Sequence, residues 1–519
     1  MKGLKFAVAS VAAMLTSAAN AEWHEARTNH FIVYSEGKAG EVTAFAERLE
    51  RFDNALRTLQ NRPVNENLPD IAKVHVFRFG DTSDISSLAG SQGVAGFYIA
   101  RAARPLAFTP VRDYRNPGSR SRADERSNLS PEVVLFHEYT HHYMLANFPT
   151  TYPSWYIEGF AEANATINLR PDGSFVVGLP ANHRARELFD LQQLHVRKLL
   201  DPNFEYTSFE QLVQKYSLGW LLTHYMTFGK SRPGQLQNYL KLLDEGKPGL
   251  AAAEQAFGDL NKLNAELQKY KSSNLPAAEV IPAGYTKPVV TVRMLTPTEE
   301  RFMPQRIKVA RGISRSEARG MAPGLNRAAA EMPGDLGMQL LAAEASLDAR
   351  DFAGATTAAN RALVINPRSV DAMIFKARAL FEAKGATTEQ FSQARALLVT
   401  ARNTDLNDAR TLMEFYRSYR SDPNRPIPEI GAIALENAYD LARHDDTYRL
   451  LLTRQLLEEN RLGPAEQVLA PVAYGFDGRD PEDDIGAKIM AKIKAGDTAA
   501  ALVILNKELK GVDGLDDDK

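Results

Sequence analysis

The chain has 519 residues, of which 24% are charged and 44% hydrophobic, and its formal net charge is −2. This composition is that of an ordinary globular protein with about two to four domains, and its balanced charge gives no reason to expect nucleic-acid binding. Because the chain contains no cysteine, disulfides, thiolate zinc sites and a cysteine nucleophile are excluded.

Residues 1–21 have the features of a cleavable signal peptide. A basic start precedes an apolar core at 6–15, and Ala19-Asn20-Ala21 matches an A-x-A cleavage site. A buried N-terminal helix is the alternative interpretation. No later apolar run is long enough to span a bilayer, so no membrane span is expected. The pattern predicts a periplasmic or secreted protein of bacterial type whose mature chain begins near Glu22.

Residues 22–111 predict an α/β arrangement. A short strand at 30–34 precedes an amphipathic helix at 40–59, and the segment 73–79 alternates like a second strand. Two further short strands are expected within 96–108. We expect this last segment to supply an edge strand that pairs with an extended substrate.

The stretch 112–126 is polar and rich in arginine, including Arg115, Arg120 and Arg122. Two interpretations remain open for it. It is either a solvated loop or a flap beside a cleft that favours acidic substrates.

A helix with metal-ligating spacing follows. Ser130 is a good N-cap and Pro131 suits the first helical position. His137 and His141 are four residues apart, so they share one face of the helix and can hold one zinc ion. Glu138 lies beside the first ligand and can act as general base towards a zinc-activated water.

A second segment supplies the third ligand that such a site needs. Glu158 lies seventeen residues after His141, about the length of a turn and a returning helix. Glu162 falls on the same face and can accept the distal N–H of a ligand histidine. The alternative is a buried helix with two satisfied histidines and an ordinary exposed turn.

The two segments HEYTH and WYIEGFAE resemble the gluzincin metallopeptidases, in which a second helix often carries W-x-x-E-G-x-A. The similarity is greatest to the peptidase MA-like domains of bacterial exported proteins, which often carry helical repeats behind the protease. The resemblance covers residues 22–270 loosely. It implies a zincin-like α+β domain in which His137, His141 and Glu158 hold Zn²⁺ and Glu138 is the base.

Residues 179–271 are predicted to be helical, with amphipathic helices at 184–200 and 208–228. Tyr216 begins a segment similar to the Y-x-x-G segment of aminopeptidase N-like enzymes, which implies a hydrogen bond from its hydroxyl to the oxyanion. A core tyrosine is the alternative. His224 is expected to be a core or surface histidine.

No G-x-M-E-N segment, which binds the substrate amine in aminopeptidases, precedes the zinc helix, so an endopeptidase is expected.

Proline punctuates residues 272–331, which are predicted to form a linker with a small β element. The segments 289–294 and 306–309 are expected to pair like a hairpin.

From residue 332 to 512 the pattern is helical and repetitive. Small residues and a closing proline resemble the tetratricopeptide (TPR) pattern, at Ala343, Ala355, Ala359, Ala362 and Pro367. Residues 513–519 are an acidic tail.

The expected fold is therefore a zincin-like α+β domain at 22–271 followed by an all-α, TPR-like repeat domain. The expected function is zinc-dependent hydrolysis of a peptide or protein substrate. The open alternatives are a TPR-type scaffold with an inactive zincin domain, and a zinc hydrolase that does not cleave peptides. The groove of the repeats either recruits a substrate or protein partner, or the repeats only buttress the zinc domain.

Overall fold

The computed structural model describes residues 22–63, 68–91, 94, 96–112, 130–148, 152–202, 204, 206–474 and 485–512. The predicted signal peptide, the arginines of the predicted flap and the acidic tail lie outside these residues. Among the described residues, no helix combines the length and apolar character that crossing a membrane requires.

In the part of the chain that the structure describes, nine strands form two sheets. They are β1 (Trp23–Arg27), β2 (Phe31–Glu36), β3 (Val74–Arg78), β4 (Phe97–Ile99), β5 (Leu106–Thr109), β6 (Asn168–Leu169), β7 (Phe175–Val177), β8 (Ala278–Val280) and β9 (Thr291–Met294). The main sheet is mixed and has the order β4-β5-β3-β2-β1-β9, with β2, β3 and β5 parallel. The small sheet has the order β6-β7-β8.

The helices of the N-terminal region surround and extend this sheet. They are α1 (Ala39–Leu59), α2 (Thr82–Ala89), α3 (Pro131–Asn147), α4 (Ser154–Ala165), α5 (Ala185–Phe189), α6 (Val196–Leu200), α7 (Phe209–Phe228), α8 (Gln235–Asp244), α9 (Gly249–Phe257) and α10 (Leu260–Tyr270). The predicted strands at 30–34 and 73–79 and the predicted helix at 40–59 are confirmed.

The described part of the chain from Pro297 to Glu508 is all helical. Its helices are α11 (Pro297–Arg311), α12 (Arg315–Glu331), α13 (Leu336–Asp348), α14 (Phe352–Ile365), α15 (Val370–Phe381), α16 (Thr388–Thr404), α17 (Ala409–Arg420), α18 (Glu429–Leu441), α19 (Asp446–Glu458), α20 (Leu462–Tyr474), α21 (Ile485–Lys494) and α22 (Thr498–Glu508). From α12 onward each helix packs on the next, and we call this region the helical array.

Both faces of the main sheet are covered, because side chains along a strand alternate between its two faces. Phe31 and Val33 of β2 pack with α1 and α3. Ile32 and Tyr34 pack on the other side with α2 and α11. The strand therefore reads as a continuous apolar run, as strands buried on both faces do.

The expected hairpin between 289–294 and 306–309 is wrong. The first segment does form a strand, β9, but it pairs with β1 at the edge of the main sheet. The second lies inside α11, which starts with Thr296 as N-cap, a capping box to Glu299 and a proline in the first turn. Because β9 belongs to the main sheet and α11 packs on it, the domain around this sheet includes residues beyond 271.

The expected helix at 184–200 is also wrong, because it is interrupted between α5 and α6. The buried Gln214 of α7 accepts a hydrogen bond from the Leu194 backbone N–H at 2.6 Å. Its amide donates to the Gln192 carbonyl at 2.9 Å. These bonds hold the backbone between α5 and α6 outside a helix. They depend on tertiary structure, so the hydrophobic periodicity of the sequence does not reveal them.

Small residues mark the contacts between helices in the array. Ala343 of α13 and Ala355, Ala359 and Ala362 of α14 are all fully buried. Side chains this small let neighbouring helices approach closely, so the predicted pattern of small residues coincides with a helix–helix contact.

Candidate metal centre

Helix α3 begins as its sequence predicts. The Ser130 hydroxyl accepts a hydrogen bond from the Val133 backbone N–H at 3.2 Å, and Pro131 occupies the first turn. The helix buries Leu135, Phe136 and Tyr139 against the sheet. This packing fixes the direction of the opposite face, which carries the histidines.

The two histidines and Glu158 converge. The Nε2 atoms of His137 and His141 are 3.0 Å apart, and Glu158 Oε2 lies 3.2 Å from the first and 3.6 Å from the second. Ligand atoms bound tetrahedrally to zinc at about 2.0–2.1 Å are about 3.3 Å apart. The three observed separations are close to the edges of such a tetrahedron.

The donor set and its electrostatics also fit a cation. Glu158 Oε2 is buried and accepts no well-aligned hydrogen bond from the part of the chain that the structure describes. Burial opposes the ionisation of Glu158, but the charge of His141 and the contact with His137 outweigh it and hold its pKa well below the usual range. Burial likewise opposes a charge on His137, but Glu158 and Glu162 raise its pKa to about 9. The site therefore favours positive charge, whether a proton or a metal ion.

Two glycines explain how Glu158 reaches the histidines. A Cβ atom on Gly159 would lie 2.4 Å from the Gly219 carbonyl oxygen, and one on Gly219 would lie 2.6 Å from the Trp155 carbonyl oxygen. Helices α4 and α7 thus touch backbone to backbone at this crossing. The glycine that follows Glu158 and the glycine of the Y-x-x-G segment meet at a single contact.

Glu162 lies behind His137, as its spacing predicts. Its Oε1 atom is 3.5 Å from His137 Nδ1, and its Oε2 atom accepts a hydrogen bond from His183 Nε2 at 2.7 Å. Arg184 forms an ion pair with the same carboxylate. Burial opposes ionisation, but the His183 hydrogen bond and the charges of His137 and Arg184 hold the pKa of Glu162 to about 2.

Sequence reasoning missed His183 and Arg184. They lie in a short 3₁₀ turn, Asn182–Arg184, twenty-one and twenty-two residues after Glu162. No spacing rule links such a turn to a metal helix, and the only signal in the sequence is a His-Arg pair before an amphipathic segment.

Tyr216 lies at the edge of this group. The guanidinium carbon of Arg184 stands 5.0 Å from the centre of the Tyr216 ring. Arg184 in turn binds Glu162, so Tyr216 is connected to His137 through two charged side chains. His224 is a fully buried core histidine, in agreement with one of its two expected placements; its Nε2–H donates to the Gly178 carbonyl at 2.9 Å.

Glu138 directly follows His137 on α3. Burial and the nearby charges of Glu158 and Glu162 raise its pKa, while His137 and His141 lower it by a smaller amount. A carboxylate with a raised pKa is a better proton acceptor, which suits a general base.

The predicted edge strand is present as β4. It occupies one edge of the main sheet, antiparallel to β5, and packs on α3. The Tyr98 hydroxyl and His142 Nδ1 form a hydrogen bond at 2.7 Å, and burial lowers the pKa of His142 to about 3, so the ring is neutral and can accept at one of its nitrogens. β4 is thereby tied to the residue next to His141.

No protein-family model matches this chain, and no curated protein is similar to it. Residue geometry and chemistry therefore carry the functional argument.

Proposed function

We propose that this protein is a zinc-dependent peptidase of the gluzincin type. His137, His141 and Glu158 would hold the metal. The observation that carries the proposal is the convergence of the two Nε2 atoms and one carboxylate oxygen at separations of 3.0, 3.2 and 3.6 Å. Glu138 lies beside this group, where a hydrolytic site needs its base.

The residues around the metal divide the chemistry among them. Zinc, when bound, supplies the Lewis acidity that makes water a nucleophile near neutral pH. The Glu138 carboxylate takes the proton of the attacking water and passes it to the leaving amine. Glu162 holds the Nδ1 side of His137 and fixes the direction of its Nε2 lone pair. Tyr216 is proposed to donate to the oxyanion.

The substrate is proposed to be a peptide or protein cleaved at internal bonds. Two features support this choice. The chain has no G-x-M-E-N segment to bind a free amine, and β4 presents a sheet edge that can pair with an extended main chain. Export follows from the signal-like residues 1–21 and belongs to the same proposal.

The fold that accompanies this function is proposed to be zincin-like at the N-terminus and TPR-like in the helical array. The metal helix lies between a mixed sheet and a second helix that returns the glutamate ligand. The array consists of consecutive helices joined by short connections, with alanines at their contacts.

Metal analysis and a broad peptide library test the function together. The purified mature protein is expected to contain one zinc ion per chain and to cut library peptides internally. His137→Ala should lose the zinc. His195→Asn is the matched control, because Asn preserves the helix cap that His195 provides and His195 lies away from the cluster. Full zinc in His137→Ala would refute the ligand assignment, and stepwise shortening from the N-terminus would refute the endopeptidase.

A further inference from the structure

The loop 100–105 between β4 and β5 lies against the helical array. The Ala102 backbone N–H donates to Asp445 Oδ2 at 2.9 Å, and His444 Nε2–H donates to the Arg101 carbonyl at 2.7 Å. His444 and Asp445 immediately precede α19. Side chains just before α19 thus bind the main chain of this loop.

Arg104 of the loop meets an acidic side chain of the array. It forms an ion pair with the buried Asp371 of α15, which also binds Arg410 at 2.7 Å. An ion pair therefore accompanies the main-chain bonds.

These contacts come from α15 and from the turn before α19. Packed helices lie about 8–10 Å apart, so α15 and α19 would be about 32–40 Å apart on a flat array. The four loop residues 101–104 span at most about 14 Å when extended. Contacts from both places to so short a segment require the array to curve around the loop.

The loop is held in a conformation that a free chain would avoid. Arg104 has φ of +51°, in the left-handed region that residues with a side chain seldom adopt. Such a residue persists where its surroundings hold it, and here the Asp371 ion pair and the hydrogen bond from the Arg104 N–H to the Ile71 carbonyl at 2.7 Å do so.

The same contacts reach the metal helix through two routes. The first runs along β4, whose Tyr98 bonds His142 beside the ligand His141. The second is direct, because the His444 ring packs edge-on against the His142 ring with their centres 5.8 Å apart. The turn before α19 therefore touches both the loop and the helix α3.

We propose that the helical array is an internal clamp that grips the loop 101–104 and so fixes the edge strand β4 against the helix α3, which carries His137 and His141. His444, Asp445 and Asp371 are then positioning residues. The array surface that these residues form is covered by the chain's own loop. The role of β4 in pairing with a substrate rests on the proposed peptidase function.

Two variants release the loop from opposite sides. Asp445→Asn removes the acceptor for the Ala102 N–H but keeps an oxygen to cap α19, since Asn and Asp are equally good caps. Arg104→Gln breaks the ion pair from the loop side and leaves Asp371 paired with Arg410. Asp497→Asn, at the N-cap of α22, is the matched control because it changes the same chemistry elsewhere in the array.

Hydrogen exchange of the β4 amides is the primary measurement, because it requires no activity. We expect Asp445→Asn and Arg104→Gln each to speed the exchange of residues 97–99 about 10-fold, and Asp497→Asn to leave it unchanged. Unchanged β4 exchange in both release variants would overturn the clamp. Acceleration in only one would overturn it as well, because a clamp is released from either side.

Peptide hydrolysis by the same variants then gives the link to function. Zinc content should be unchanged and KM should rise more than kcat falls, because a mobile edge strand weakens substrate pairing and leaves Glu138 in place. If the wild-type protein hydrolyses no peptide while β4 exchange responds as expected, the peptidase proposal fails and the clamp stands.

Discussion

Two clusters of histidine and carboxylate in the N-terminal region have similar geometry and different surroundings. In each, three possible ligand atoms lie within 4.8 Å of one another: His137, His141 and Glu158 in the metal centre, and His30, Glu50 and Asp53 in what we call the closed cluster. Distance alone therefore does not separate a metal site from a charge network.

The two clusters differ in the hydrogen-bond partners of their possible ligand atoms. In the closed cluster, His30 Nδ1 lies 2.6 Å from Glu50 Oε1, so this nitrogen carries a proton and has no lone pair for a metal. Asp53 accepts hydrogen bonds from Arg57 Nε at 2.7 Å and the Tyr139 hydroxyl at 2.6 Å. A divalent cation there would meet a guanidinium, which already balances the carboxylates.

The difference teaches that chemical role follows from what each polar atom already binds. The closed cluster connects β2 and α1 to Tyr139 on α3, so it helps to place the metal helix. The metal centre leaves its acceptor atoms pointed at one another. Four predictions test this contrast.

The largest expected effect is on catalysis at the metal centre. Glu138→Gln should lower kcat by about 10²–10⁴-fold, the range for loss of a general base, while zinc content and melting temperature stay close to those of the wild type. Glu132→Gln on the same helix is the control, since Glu132 is half-buried and, among the described residues, its one ion pair is with Arg48. Zinc loss in Glu138→Gln would mean that Glu138 holds the metal and is not simply the base.

The corresponding change in the closed cluster should act on stability. Glu50→Gln removes the carboxylate that accepts the hydrogen bond of the buried His30, and losing a hydrogen bond to a charged group costs about 1.5–3 kcal/mol of unfolding free energy. Urea denaturation measures the loss of unfolding free energy. Metal analysis measures the zinc content, which should remain one ion per chain. Loss of zinc from this variant, in protein that is still folded, would contradict the separation of the two clusters.

A pair of tyrosine variants compares the two clusters with the same chemical change. Tyr216→Phe should lower kcat about 10²-fold without loss of stability, as expected for a lost oxyanion donor. Tyr139→Phe should lower the unfolding free energy by about 1.5–3 kcal/mol, because it deletes a hydrogen bond to the buried Asp53, and leave kcat close to the wild-type value. An unchanged kcat in folded Tyr216→Phe would assign Tyr216 a purely structural role.

The smallest expected effect is a pH dependence of the closed cluster. Burial opposes ionisation of Glu50, but the hydrogen bond and charge of His30 outweigh it, so its folded-state pKa lies below the ordinary 4.5. A carboxyl with a lowered pKa stabilises the protein above its unfolded pKa, and this contribution disappears as the pH falls through the folded value. The stability gap between wild type and Glu50→Gln should therefore narrow below about pH 4.5. A gap that stays constant to pH 3 would contradict this assignment.

The sequence by itself determined the local elements of the candidate site. The cap at Ser130 and the i, i+4 spacing of His137 and His141 depend on helix geometry, which acts over a few residues. The approach of Glu158 to these histidines also needs the close crossing of α4 and α7. The small residues at helix contacts in the array and the buried strands around residues 30–34 and 73–79 followed from the same local rules.

Only the tertiary structure decided which distant residues meet. It brought His183 and Arg184 to Glu162, placed β9 beside β1 instead of in a local hairpin, and set His444 of the array against His142 of the metal helix. It also made the His30 cluster a closed charge network by bringing His30 to Glu50 and Tyr139 to Asp53. Such pairings depend on the packing of whole elements and on the full set of hydrogen-bond partners, and no periodicity in one chain encodes them within a short window.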